Sequence, residues 1–286
     1  MRRVSLRVCA LLAVVAAALT GCVPSVSSAG LPDGVTVSFE QLRSDVAARQ
    51  AEVRIRNDST HPLLVESVSV ADPRFDGLAE RVLDHTSTVA AGAIADIRVQ
   101  LPPMTCPAPD DATATATIAY TLDGVDGSAT APLPDRLSFL PPLHERECRA
   151  AALAQAADVA FTAFTASDAG APGELTLTVT PTGAAAMELT GLSATNLLRP
   201  VLPGESGGVW PLHVTVAQGD TAPVVVRLPI EPLRCDAHAV MEDKRGTVFR
   251  LETVIDGDAG QVEIAADDVM RGRLLAWVAH WCGYGP

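Results

Sequence analysis

Apolar and polar residues alternate along much of this chain with the two-residue period of a half-buried strand. Ala51-Glu-Val-Arg-Ile-Arg-Asn57 is one such run, and Glu174-Leu-Thr-Leu-Thr-Val-Thr180 is its counterpart further on. Thr115 to Leu122 places Ala116, Ile118, Tyr120 and Leu122 on one face. Leu63–Val70, Ala95–Leu101, Met187–Ala194, Val224–Leu228 and Val248–Ile255 extend the pattern. Pro, Gly, Asp and Ser fall between the runs, where turns need them. Asp123-Gly124 and Asp256-Gly257 carry the Asp-Gly signal of a two-residue hairpin turn. Trp277 and Trp281 stand four apart, a spacing that shares a face in either a strand or a helix. With Leu275, a final strand would carry them as a binding stripe; the other reading places them in a core or a contact between domains.

The runs occur twice in the same order. Gly92, Leu101 and Pro102 match Gly219, Leu228 and Pro229 at one offset. Cys106 and Cys235 follow, then the two Asp-Gly turns with Gly127 and Gly260, then Cys148 and Cys282. Short strands at regular spacing predict an all-β chain of two tandem immunoglobulin-like β-sandwich domains related by internal duplication. The expected boundaries are 35–148 for the first and 158–286 for the second, joined by an alanine-rich linker over 149–157 that is either helical or extended.

The front of the chain reads differently. Arg2, Arg3 and Arg7 precede an apolar run from Val8 to Leu19, which ends in Leu19-Thr20-Gly21-Cys22. The run is shorter than the roughly 20 residues of a membrane-spanning helix, so it reads as a signal segment. The order of charge, apolar run, small residues and cysteine resembles a bacterial lipoprotein signal with its lipobox. That resemblance implies cleavage after residue 21, a diacylglycerol on Cys22, and attachment to the extracytoplasmic face of the cell membrane. Residues 22–34 would then form a lipidated tether, with a root-mean-square reach of roughly 20 Å if flexible.

Charge narrows the partners. The chain carries −13 at pH 7, and losing residues 1–21 removes three arginines and no acid, giving −16. Nucleic-acid affinity comes mainly from cations on phosphates, so nucleic acid is excluded as an expected partner. The membrane, through the lipid, and another envelope protein remain.

With Cys9 and Cys22 in the front segment, four cysteines remain, and four allow three pairings. The repeat favours Cys106–Cys148 and Cys235–Cys282, one equivalent bridge in each copy, in the oxidising setting of an exported protein. Closing a loop of about 40 residues contributes about 4 kcal/mol in the chain-entropy model. Paired C-x-x-C spacings, the usual sign of a thiolate metal site, are absent.

Three constellations carry candidate chemistry. His238, Met241 and Glu242 follow Cys235; on a helical turn His238 and Glu242 share a face and could begin a copper or zinc site, with His213 or His280 as further ligands. Gly204-Glu-Ser206-Gly-Gly208 fits the G-x-S-x-G pattern and resembles the GDSGG segment around a trypsin-like protease nucleophile. A serine nucleophile needs an oriented histidine base, whereas Val278-Ala-His280-Trp-Cys282 follows the serine instead of preceding it. Asp256-Gly-Asp258 lacks the ligand ladder of a calcium loop. No catalytic set and no cofactor are therefore expected. The leading expectation is a non-catalytic binding or scaffolding protein of the cell envelope, with metal binding around His238 as the alternative and a serine hydrolase as a more distant one.

The lipobox reading predicts that mass spectrometry of membrane extracts finds an acylated N-terminal peptide beginning at Cys22. An unmodified protein found only in the medium would remove the anchor.

Overall fold

A computed structural model describes residues 30–109, 111–201, 208–241 and 245–284. The first half runs β1 (Val35–Glu40), α1 (Arg43–Val46), β2 (Gln50–Asn57), β3 (Leu63–Ala71), β4 (Ala79–Arg81), β5 (Ser87–Val89), β6 (Ile94–Gln100), β7 (Thr115–Leu122), β8 (Val125–Pro132) and α2 (Leu140–Ala156). The second runs β9 (Ala157–Thr165), β10 (Gly173–Pro181), β11 (Met187–Ser193), β12 (Leu198–Pro200), β13 (Val209–Val216), β14 (Val224–Pro232), α3 (Ala237–Met241), β15 (Val248–Ile255), β16 (Asp258–Ala265) and α4 (Asp268–Trp281).

The pairing pattern is the same in both halves. β1-β2-β6-β4 corresponds to β9-β10-β14-β12, and β5-β3-β7-β8 corresponds to β13-β11-β15-β16. All these pairs are antiparallel. Two four-stranded layers of this order make an immunoglobulin-like sandwich, and the chain is all-β in class. The halves differ in one respect: β4 pairs with Ser69 and Val70 of β3 as well as with β6, so the first half forms one eight-stranded sheet folded through β4. The register also refines the match between copies. Ala51 faces Val99 as Leu177 faces Val226, so Ala51 corresponds to Leu177 and not to Glu174.

Each sandwich closes on its own core because alternate residues point inward. Val53, Ile55, Val65, Val70, Val99 and Ile118 fill the first. Leu175, Leu177, Val179, Leu189, Leu228 and Leu251 fill the second, where Phe161 of β9 meets Phe249 of β15 with ring centroids 4.7 Å apart. The hairpin turns are as the Asp-Gly pairs predict. Asp123 and Gly124, and Asp256 and Gly257, all take positive φ, the conformation that suits the twist of a two-residue hairpin.

The last element of each half is a helix. α4 is capped by Asp267, whose side chain accepts the Met270 amide at 2.7 Å. Trp277 and Trp281 therefore lie on a helix, not on a final strand. In the first half Asp135 accepts the Leu140 amide at 2.9 Å, and prolines occupy the opening positions of α2, where no amide partner is lost. The alanine-rich stretch expected as a linker is the second half of α2, and β9 begins at the next residue. Leu140 and Leu143 of this one helix belong to the first core, and Leu153 and Ala156 to the second.

Candidate interaction face and clipped helices

Both disulfides join the helix ending a half to the segment that follows its central strand. Cys106 lies beyond β6 and bonds Cys148 within α2, with Cα atoms 5.6 Å apart. Cys235 lies beyond β14 and bonds Cys282 at the end of α4, with Cα atoms 5.3 Å apart. The pairing is the one that the repeat favours. A two-layer sandwich leaves its end open, and in each half a helix tied by sulfur covers it.

α2 is held from both sides. Arg49 reaches across the first half to Glu147 at 2.6 Å and also donates to the Pro102 carbonyl. On the other side Arg149 donates to the Asp258 carbonyl at 3.1 Å. Its guanidinium lies over Gly260, where any Cβ would collide with it. Gly127, the equivalent glycine of the first copy, is instead covered by Tyr120 of its own sheet. The same position thus serves a hairpin in one copy and the junction in the other.

The outer faces of the equivalent sheets have diverged. On the first, Glu40 stands directly opposite Glu52, a like-charge pair that needs cations around it. Arg54 meets Glu40 at 3.0 Å and Asp96 at 2.8 Å, while Arg98 lies 3.3 Å from Asp45 and 3.5 Å from Glu52. Burial, reinforced by Asp45 and Asp96, holds the Glu52 carboxyl above the usual carboxylate range. A cavity of about 310 Å³ opens beside it, lined in part by Glu52, Arg81, His85 and Arg98. Burial also lowers the pKa of Arg81, whose guanidinium is spent on the Ser87 hydroxyl at 2.6 Å and on carbonyls of β3.

On the second sandwich the matching face carries hydroxyl and apolar side chains where β9, β10 and β14 meet around Thr178. Ala160 lies opposite Thr178, and Thr178 opposite Val225. The Thr162 and Thr178 hydroxyls share a hydrogen bond of 2.7 Å. Val225 is 58% exposed. Arg227, opposite Thr176, stands next to this patch and 3.7 Å from Glu174, and Arg199 of β12 pairs with Glu231 of β14 at 2.5 Å on the same face. β9 forms one margin of this sheet, and α2 and α4 pack against it.

The other residues singled out in the sequence are placed as follows. Trp277 is 4% exposed, packs edge-on against Phe164 with centroids 5.1 Å apart, and donates its indole N–H to the Ser167 carbonyl at 3.0 Å. Trp281 packs half-buried on the same core and donates to the Ala171 carbonyl at 3.0 Å. Both indoles fasten α4 to the β9–β10 connection. This packing is the reason that Trp277 and Trp281 do not form an exposed stripe. His238 is exposed on α3, and among the described residues it joins no group of three metal-capable side chains with His213 or His280. The Met241 side chain, Glu242, Ser206 and Cys22 lie outside the described residues. The one such group that the described residues do form was not apparent in the sequence: Cys106, His144 and Cys148. The i, i+4 spacing of His144 and Cys148 is visible only once the segment is known to be helical.

No protein-family model matches the chain, and no curated protein does. Among solved structures it is similar to the YadV chaperone at 15% identity, with a TM-score of 0.23, covering 81% of this chain and 100% of that one. It is also similar to the CupB2 chaperone of Pseudomonas aeruginosa at 14% identity, with a TM-score of 0.21 and coverage of 77% and 94%. For the DraB chaperone of E. coli the figures are 11%, 0.22, 77% and 90%. The fold is defined by its own strand order.

The Glu52 carboxyl supplies a pH signature. Its folded pKa is raised, so between the ordinary glutamate value of 4.5 and the raised value the folded state holds more proton than the unfolded one. Stability from the protonated form is fully present below that window and is lost as pH rises through it. Glu52→Gln should flatten this part of the profile in urea titrations, with the variant gaining on the wild type as pH rises. An advantage that shrinks with rising pH would contradict the assignment.

Proposed function

We propose that this chain is a lipid-anchored protein of the cell envelope that binds or scaffolds another envelope protein without catalysis. The contact is the outer face of the β12-β14-β10-β9 sheet. One observation carries the reading. Two copies of one sheet present faces of different character: the first carries linked ion pairs across β1, β2 and β6, and the second carries hydroxyl and apolar side chains around Thr162, Thr178 and Val225, beside the Arg227–Glu174 and Arg199–Glu231 pairs. Duplication gives an internal control, because the fold itself does not demand the hydroxyl and apolar patch.

The junction supports the same reading. α2 shares residues with both cores, so the second sandwich is carried on the first by a helix that both pack against. With the lipid at Cys22 and a short tether, the first sandwich lies next to the membrane and the second is presented by it. The net charge favours neither nucleic acid nor an anionic lipid surface as the bound partner.

A photo-crosslinking residue placed in living cells at Thr178, and separately at Arg54, tests the assignment. The expected result is a membrane-fraction adduct of defined mass from position 178 and none from 54. No adduct at 178, or equal yields at both positions, would refute it.

A further inference from the structure

We propose that Cys106, Cys148 and His144 form a site for a soft d10 metal ion of the zinc class, closed while the disulfide is intact and opened by its reduction. The ligand atoms of the three side chains lie within 4.8 Å of one another. His144 Nε2 is 3.2 Å from the Cys148 sulfur and 2.9 Å from the Thr105 carbonyl oxygen. The Thr105 carbonyl can only accept, so Nε2–H donates to it while the disulfide is intact; metal binding requires the tautomer protonated at Nδ1, which gives up that bond and frees the Nε2 lone pair for the ion. Two thiolates and an imidazole are a zinc donor set, and bonds of about 2.0–2.3 Å gather atoms of this spread around one ion after small side-chain rotations. Water supplies the fourth position.

The scaffold does not depend on the disulfide to keep these groups together. On the loop side, the Thr105 amide donates to the Arg74 carbonyl at 2.8 Å, and Phe75 bridges Met104. Asp72 and Arg74 brace that turn with paired bonds of 2.8 and 2.7 Å. On the helix side, Leu140 and Leu143 anchor α2 in the first core. Arg49 then ties the two sides together, binding Glu147 on α2 and the Pro102 carbonyl on the loop. Cys106 is exposed and Cys148 half-buried, so a reductant can reach the bond. The second disulfide has no such companion: among the described residues no histidine forms a comparable group with Cys235 and Cys282.

The chemistry balances with a dithiol as reductant. Its two thiols become a disulfide while the Cys106–Cys148 bond takes up two electrons and two protons to give two thiols. Binding of a divalent ion then releases both thiol protons, so affinity rises with pH.

The test uses the whole mature chain, reduced anaerobically with a trialkylphosphine, which takes the oxygen of water to become the phosphine oxide while the two protons go to the thiols; the chain is then desalted and titrated with Co²⁺ and Zn²⁺. The expected result is one tightly held Co²⁺ per chain with thiolate-to-cobalt charge-transfer bands, displaced by Zn²⁺, and no such binding by the oxidised chain. Cys235→Ser with Cys282→Ser should keep the site, and Cys106→Ser with Cys148→Ser should abolish it. His144→Ala, which leaves the disulfide intact in the oxidised protein, should weaken affinity at least about tenfold after reduction. Zinc should also raise the melting temperature of the reduced chain, or refold its first half if reduction unfolds it. Absence of charge-transfer bands, unchanged affinity in His144→Ala, or no thermal or refolding response to zinc would each overturn the proposal.

Discussion

The constraint on which this structure depends is the packing of one helix into two cores. A sandwich of eight short strands buries its inner faces but leaves an end uncovered, and the segment after the last hairpin must close it. In the second half α4 does so as a terminal element, fastened by two indoles and a disulfide. In the first half the equivalent helix does not end with its domain. α2 continues until Leu153 and Ala156 enter the next core, and β9 starts without any loop between. The closing element of one unit has thereby become the joint to the next. Joints between tandem sandwiches otherwise rest on small polar contacts that permit movement; here the joint shares hydrophobic cores.

Once that joint exists, the two copies have different surroundings. The Gly127 and Gly260 pair shows this at one position. The first accommodates a tyrosine of its own hairpin, and the second accommodates an arginine from α2. The outer faces show it over a whole sheet. Arginine–carboxylate pairs such as Arg54 with Asp96 run through the first, whereas the second combines hydroxyl and branched apolar side chains around Thr178 with the Arg199–Glu231 and Arg227–Glu174 pairs. Individual exposed ion pairs contribute little stability, commonly below about 1 kcal/mol. The clearer consequence of the ladder is that the arginines and carboxylates of β1, β2 and β6 are engaged with one another.

Much of the fold was legible in the sequence, for identifiable reasons. β7 and β15 carry the strict alternation of half-buried strands, and the Asp-Gly turns after them require the left-handed conformations that they adopt. The cysteine pairing followed from the order of the repeat. What stayed hidden belongs to the helices. Pro141 and Pro142 look like breakers unless they open a helix, and Leu143 to Cys148 is too polar to show a core-facing stripe. The alanines beyond fit either linker or helix, and only the position of Leu153 and Ala156 against β9 decides between them. The nearness of His144 to Cys148 was lost for the same reason. Trp277 shows the limit from the other side: its spacing fits a strand and a helix equally, and the Asp267 cap settles the matter.

Hydrogen exchange at the amides of residues 149–156, in the full chain with both disulfides intact, tests the shared helix most directly. A helix packed into both cores predicts protection comparable to that of β10. Exchange at the rate of an unstructured chain, with β9 and β10 still protected, would show that the segment is a free linker and would contradict the account.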